Sequence, residues 1–380
     1  MNNISEFSKC SNCGACYNAC PKDAISVKED GMFYSLEIDS DKCTNCGMCK
    51  AVCPVNNPKS IQNLHNGYGG CHIDDNVVKN SSSGGAFKAL ADIILARGGV
   101  VYAAAYSQDK REVVIKSTDE VSLDELQRSK YVESKVMLSF RDIKEQLKND
   151  RAVLFCGAPC QVAGLKRYLG KDYDNLLTCD FSCGGMPSHK MYEEYLTYVE
   201  KKLRAPIQSV NFRPKSYGWK IYTMKISAQN GKEYKKIYTE DPYLYCFIGN
   251  HISVRDYCYE CDFANNHYAD IVLADFWKCR SVSKIPDQNT GLSLIITNSN
   301  KGEDFINNIS KTFSLTILDL EKSSYNMVKK TYSKEFFEKR KSFIQSCLNG
   351  GFIKTAKAIK PKGTVKIKTK YYIKKLLGKA

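Results

Sequence analysis

The sequence predicts an α+β / α/β chain in two parts, a small cysteine-rich domain followed by a larger mixed α/β domain. Three observations predict it. Eight cysteines crowd into two matched runs between Cys10 and Cys53. Beyond them, apolar strand-like stretches such as residues 100–106 and 151–155 alternate with helical periods, with Gly- or Cys-rich turns between. The 380 residues, 43% of them hydrophobic, suffice for a large core and more than one domain.

The first run reads Cys10-x-x-Cys13-x-x-Cys16-x-x-x-Cys20-Pro21, and the second repeats it as Cys43-x-x-Cys46-x-x-Cys49-x-x-x-Cys53-Pro54. This is the spacing of a two-cluster bacterial ferredoxin, in which three close thiolates hold one [4Fe–4S] cube and the fourth cysteine crosses to the other. Cluster one takes Cys10, Cys13, Cys16 and Cys53, and cluster two takes Cys43, Cys46, Cys49 and Cys20. Gly14 and Gly47 let the backbone pass close to the cluster sulfide, and Pro21 and Pro54 turn the chain away. A zinc site calls for two C-x-x-C pairs rather than two four-cysteine runs. The ferredoxin-type domain spans 1–60. Short strands at 25–27 and 34–38 flank an Asp30-Gly31 turn, and a polar linker follows at 56–60. So small a module lacks a sizeable core, so its clusters are expected to hold it together.

The net charge of +15 hints at nucleic acid, but its distribution does not. Ten lysines and no acid lie between Lys354 and Ala380, which leaves the remaining body close to neutral. No nucleic-acid partner is expected, because no recognition module accompanies the tail. The basic tail, 346–380, suits peripheral contact with an anionic membrane surface, docking to an acidic protein such as a ferredoxin, or a solvated helix. Eighteen cysteines without an export signal imply a reducing, cytoplasmic setting. No apolar run approaches the roughly 18–20 residues that cross a bilayer.

In the larger part, a polar loop at 80–85 opens into a helix over 86–95, ended by Gly98-Gly99 before a buried strand at 100–106. Ser83, Gly84 and Gly85 would offer backbone N–H groups and a helix dipole to an anion. A flavin site and an ordinary serine-capped helix both fit. Residues 121–150 read as helix-rich around Ser129-Lys130-Tyr131-Val132. Two strand–turn–helix units follow: strand 151–155, turn Cys156–Gln161 and helix 162–169; then strand 176–180, turn Cys183–Ser188 and a helix from about 190 to 203. Ligands in α/β proteins sit at such carboxyl ends of strands. Cys160 and Cys183 therefore occupy equivalent positions. Cys258-x-x-Cys261 precedes another strand at 269–277. Four thiolates could hold a third cube or a structural zinc, and pattern alone leaves both open. Residues 207–245 read as a β-hairpin turning at Asn230-Gly231, 291–298 as a strand and 305–312 as a helix. Cys71, Cys156, Cys179, Cys246, Cys279 and Cys347 read as small hydrophobes, although Cys156 and Cys179 lie near the proposed ligands. His267 lies close enough to the C-x-x-C for proton transfer.

These motifs carry a resemblance. Ser82-Ser-Gly-Gly-Ala86, Lys130-Tyr131, Gly157-Ala-Pro-Cys-Gln161, Cys183-x-Gly-x-Pro-Ser188, Cys258-x-x-Cys261 and Asp270-x-x-x-x-Asp275-Phe-Trp277 occur in this order. From about residue 67 to 340 the chain resembles the coenzyme F420 hydrogenase/dehydrogenase beta subunit family. The resemblance implies a flavin loop in 61–150, and a core [4Fe–4S] cluster on Cys160, Cys183, Cys258 and Cys261 in 151–345. It implies FAD against Ser83, Gly84, Gly85, Lys130 and Tyr131, with Lys130 the catalytic cation. It departs from the family at Gly184, where many bacterial relatives carry histidine, and at Ala274, where glycine is usual. The function so implied is an iron–sulfur flavoprotein oxidoreductase. It would pass electrons between a ferredoxin-like carrier or partner redox subunit and a small organic acceptor, coenzyme F420 or another. The alternative is a non-catalytic electron-transfer subunit feeding a partner enzyme.

Overall fold

The computed structural model describes residues 9–29, 31–58, 66–277, 289–320 and 331–361, together with Ile367 and Thr369. Asp30 of the first turn, the end of the linker, Cys279 and about half of the basic tail, nearly all of it beyond residue 361, lie outside the described residues. Fourteen strands are present among them: β1 (Ile25–Lys28), β2 (Ser35–Ile38), β3 (Asn66–His72), β4 (Val100–Tyr106), β5 (Val113–Ser117), β6 (Ser134–Lys135), β7 (Val153–Cys156), β8 (Leu176–Phe181), β9 (Ile207–Asn211), β10 (Thr223–Ala228), β11 (Glu233–Ile237), β12 (Ile271–Asp275), β13 (Ser293–Thr297) and β14 (Phe313–Leu318).

Nine of them form one mixed sheet in the order β14-β3-β13-β12-β8-β7-β4-β5-β6. Its centre, β12-β8-β7-β4, is parallel. Strands β13, β3 and β14 extend one side with antiparallel pairing. Both faces are covered, which is why the central strands read as continuous apolar runs. Period-two alternation divides them: Val100, Tyr102, Val153 and Phe155 pack with the helix Pro159–Leu169, whereas Val101, Ala103, Leu154 and Leu177 pack with the helix Ala86–Ala96. Among the described residues no helix is long and apolar enough to cross a membrane.

Several expectations need correction. Residues 207–245 make a three-stranded antiparallel sheet, β11-β10-β9, rather than a hairpin. The Asn230-Gly231 turn holds, with Gly231 at φ 79°. The stretch around Lys130 is not helical: only Leu123–Leu126 and Ser139–Lys148 are, and Arg128 at φ 72° breaks the chain between them. The helix placed at 162–169 begins at Pro159, whose missing N–H suits the first turn, while Gln161 Oε1 accepts from Ala158 N–H at 3.0 Å. Cys160 thus projects from a helical first turn. The helix placed at 305–312 is Asn300–Ile309, capped by the Ser299 side chain, and β14 follows it.

The small domain keeps its internal repeat. Gly14 and Gly47 precede the helices Ala15–Ala19 and Met48–Ala51 at φ 79° and 75°, and Asn12 and Asn45 repeat at φ 55° and 54°. The clusters are not its sole support. Cys13 and Ala15 share a hydrophobic core with Phe140 and Val162. Arg141 donates to Asn18 O at 2.8 Å and to Cys20 O at 2.7 Å, and Asn18 Nδ2 donates to Met137 O at 2.8 Å. Tyr34 stacks on His189 at 3.8 Å between ring centres. A Cβ on Gly164 would lie 3.0 Å from Cys13 Sγ, so glycine there admits close approach of the two domains.

Candidate functional site

The twelve predicted ligand cysteines fall into three groups of four. Burial pushes the Cys13 thiol up to about 12, and the neighbouring Cys10 and Cys53 thiols add to that rise. Cys16 is raised by burial and by Cys13, Cys10 and Cys53. Cys53 therefore crosses from the second run to the first, as the ferredoxin spacing requires. Cys20, Cys43, Cys46 and Cys49 line one small cavity of about 50 Å³ together with Gly47 and Ile25.

The third group assembles from distant segments. Burial raises Cys160 well above the usual thiol value, and Cys261, Cys183, Cys13 and Cys258 add to it. Cys183 is pushed to about 12 by burial and by Cys261. Helix Pro159–Leu169 delivers Cys160, the loop after β8 Cys183, the turn Asp256–Tyr259 Cys258, and the residue just before the turn Asp262–Ala264 is Cys261. Thiolates crowded into dry sites repel one another, and a cationic centre relieves that repulsion. Backbone N–H groups are aimed at the sulfurs: Gly185 to Cys183 at 3.4 Å, Met186 to Cys258 at 3.3 Å, Asn12 to Cys10 at 3.3 Å and Ala24 to Cys20 at 3.3 Å. Such donors suit the anionic sulfur of an iron–sulfur centre. Among the described residues, no set of three His, Cys, Asp or Glu side chains closes on a single metal ion.

A cavity of about 590 Å³ opens at the carboxyl ends of β7, β8 and β12. That places it where parallel α/β sheets hold ligands, and its size is ordinary for a small-molecule site. Ser83, Gly85, Lys130, Tyr131, Cys156 and Cys183 line it, but Gly84 does not. The Gly84 N–H donates to Ser293 Oγ at 3.0 Å, and a Cβ there would lie 2.6 Å from Gly70 O. Ser83 Oγ donates to Leu292 O at 2.7 Å. The loop is clamped to β13 and β3, so Gly84 shapes the cavity wall without facing it.

Lys130 Nζ donates to Gln127 O at 2.8 Å and lies over the Tyr106 ring at 5.6 Å. Burial, joined by the Arg128 charge, lowers its pKa to about 7, so it is poised between its charged and neutral forms near neutrality. Tyr131 accepts a hydrogen bond from Arg213 Nη1 at 3.2 Å and packs edge-on against Phe212 at 5.3 Å.

Sequence reasoning missed Arg213 and Lys215. Arg213 lines the cavity and pairs with Asp275 at 2.9 Å, with its guanidinium over Tyr222 at 4.1 Å and Trp277 at 5.5 Å. Burial works against its charge, yet Tyr131 and Asp275 hold its pKa above the usual guanidinium value. Lys215 Nζ donates to Ser83 O at 2.9 Å, and burial with the Arg213 charge brings it down to about 8. Two cations in Phe212-Arg-Pro-Lys215 directly after a strand were the available signal. His267 does not line the cavity. Its Nδ1 pairs with the buried Asp180 carboxylate at 2.8 Å. Asp270 is a structural clip: Thr178 N–H and Ser299 Oγ each donate to it at 2.8 Å. Cys156 sits opposite Cys179 in the β7–β8 register and lines the cavity.

The family model for the carboxyl-terminal part of the coenzyme F420 hydrogenase/dehydrogenase beta subunit matches residues 150–323, and that for the 4Fe-4S dicluster domain matches residues 9–57. Over residues 150–323 the chain is similar to that beta subunit family. Its N-terminal match to the 4Fe-4S dicluster domain makes it an iron–sulfur protein, joined to a part similar to an oxidoreductase subunit. The chain is also similar to one in a xenon-derivatised structure of the F420-reducing [NiFe] hydrogenase complex from Methanosarcina barkeri. That likeness is at 17% identity, covers 77% of this chain and 96% of the other, and has a TM-score of 0.43. No curated protein matches the sequence.

Proposed function

We propose that this protein is an iron–sulfur flavoprotein oxidoreductase of the kind its similarity to the beta subunit family suggests. It exchanges electrons between a ferredoxin-like carrier or partner redox subunit and a small organic hydride acceptor or donor, with coenzyme F420 the candidate that the family name suggests. The observation that carries this reading is the position of Cys183, which belongs to the third thiol group and also lines the 590 Å³ cavity. A group bound in the cavity would touch the wall that holds a core cluster.

The residues present fit FAD. The loop Ser81–Gly85 meets the cavity at the N-terminus of an eleven-residue helix, a place that favours an anionic group. Tyr131, Phe247 and Phe276 supply flat apolar surface, and Lys130 and Arg213 supply positive charge. A flavin held there would convert between one-electron and two-electron transfer. Ser83 and Gly85 would shape the loop against it, Tyr131 would support it and exclude water, and Lys130 would place a cation beside it. Cys160, Cys183, Cys258 and Cys261 would hold a [4Fe–4S] cluster, with the dicluster domain leading outward to the carrier.

Anaerobic purification with iron, sulfide and flavin analysis tests this reading. The expected yield is about twelve irons per chain, four for each cube, and one flavin. Clusters without flavin would instead leave a pure electron-transfer subunit. Reduction of F420 by the dithionite-reduced protein then tests the acceptor.

Lys130 gives a second expectation. With a pKa of about 7, it carries its charge below neutrality and loses it as pH rises through that value. Lys130→Met is therefore expected to lower the bound flavin's potential most on the acid side of neutrality. The difference from wild type should shrink as pH rises, because the wild-type lysine then becomes neutral as well. A potential unchanged at every pH removes the role.

A further inference from the structure

One buried ion pair belongs to neither the thiol groups nor the cavity wall. Glu133 is 0% exposed in its side chain and Arg255 10%. Arg255 Nε donates to Glu133 Oε1 at 3.0 Å, and Arg255 Nη2 donates to both Glu133 and the Tyr34 carbonyl. Glu133 Oε1 also accepts from Asn12 Nδ2 at 3.0 Å, and Oε2 accepts from Tyr34 N–H at 3.4 Å. One carboxylate and one guanidinium therefore tie the small domain to the large one.

The two ends of this network are ligand loops. Asn12 lies between Cys10 and Cys13, and its N–H donates to Cys10 Sγ at 3.3 Å. Arg255 lies in the turn of Cys258: its carbonyl accepts from Cys258 N–H at 3.0 Å, and its N–H donates to Met186 O at 3.0 Å. Met186 N–H in turn donates to Cys258 Sγ at 3.3 Å. The two thiol groups are also neighbours in space. Cys160 Sγ lies 3.9 Å from Ser11 O, and a Cβ on Gly164 would meet Cys13. Among the described residues, Cys20, Cys43, Cys46 and Cys49 take no part in the network.

We propose that the Glu133–Arg255 pair is an electrostatic bridge between the first ferredoxin cluster and the core cluster, and that it sets how electrons partition between them. The proposal rests on the reading of Cys160, Cys183, Cys258 and Cys261 as cluster ligands. Its physical basis is direct. A buried ion pair is a poor source of stability compared with apolar packing, because desolvation offsets its attraction. A fixed cation near a cluster favours the reduced, more negative form, and a fixed anion disfavours it. In a dry interior these effects are weakly screened. The Arg255 charge acts on both the Cys10 and the Cys258 sulfur, and Glu133 opposes it at Cys10. Both residues act through the ligands' surroundings, so they are positioning residues.

The test uses the full chain, purified anaerobically, with midpoint potentials read by EPR-monitored titration and iron measured on each sample. Glu133→Gln removes the anion and leaves the cation, so the potentials of cluster one and the core cluster should rise. Arg255→Gln should lower both. The expected shift is a tenfold change in electron affinity, about 59 mV for one electron. Cluster two should not follow, and Arg255→Lys, which keeps the charge, should stay near wild type. A mere structural brace would not produce opposite signs from two neutral substitutions. Unchanged potentials, shifts of the same sign, or loss of cluster-one iron from both glutamine variants overturn the proposal. A wild-type content of about eight irons, two cubes in place of three, would overturn the core-cluster reading and with it the bridge, which would have no second end. Twelve irons with unchanged potentials would overturn the bridge alone.

Discussion

Replacing Cys160 by serine is expected to remove about four irons per chain and leave the dicluster domain loaded. Cys160 is buried in the first turn of the helix Pro159–Leu169. Its sulfur shares an electrostatic environment with Cys183, Cys258 and Cys261, which come from a loop and a turn far along the chain. Serine has nearly the same shape, and its hydroxyl can donate to Ser11 O, so the fold around it should survive. Serine replaces a soft thiolate with a hydroxyl, which suits iron–sulfur ligation poorly. Iron and sulfide should fall together by a third of the total, and visible absorbance should fall in proportion. A zinc site would behave differently: about one zinc would be lost, with no change in iron, sulfide or colour. Full iron in the variant would return Cys160 to the role of a redox-active or simply buried thiol.

The placement of the cysteines shows which parts of the protein are legible in its sequence. The two ferredoxin runs are legible because their ligands are local, with spacings dictated by the cube itself. The units ending at Cys160 and Cys183 are legible because β7 and β8 are continuous apolar strands followed by helices with clear periods. Strand β3 is not. Asn66-Gly-Tyr-Gly-Gly-Cys-His72 lacks the branched residues that mark strands, and its glycines serve packing: a Cβ on Gly70 would lie 1.8 Å from Ser314 O. The helicity expected around Lys130 failed because a positive φ at Arg128 and cavity contacts outweigh local preference. Arg213 escaped notice because its partner Asp275 lies 62 residues away, and Glu133 because Arg255 lies 122 residues away. Charge pairing across such gaps leaves no periodic trace.

Arg213→Met is the second large expected effect, and it separates the cavity's electrostatics from its shape. The wild-type guanidinium neutralises Asp275, holds the Tyr131 hydroxyl and lies against Tyr222 and Trp277, so four neighbours depend on it. Methionine fills much of the same volume and can pack against the rings, but it leaves the Asp275 carboxylate without its cation. Removing one member of a buried pair typically costs about 3–5 kcal/mol. Asp275 is 15% exposed in its side chain, so part of that cost is relieved by water and the low end is expected. The double variant Arg213→Met/Asp275→Asn removes both charges and should recover most of the lost stability in urea unfolding. Flavin binding should behave otherwise. If the Arg213 cation serves the cavity's ligand, flavin content should remain low in the double variant even as stability returns. Recovery of flavin together with stability would make the pair a structural element of the wall, and would leave Lys130 as the cation that serves the ligand.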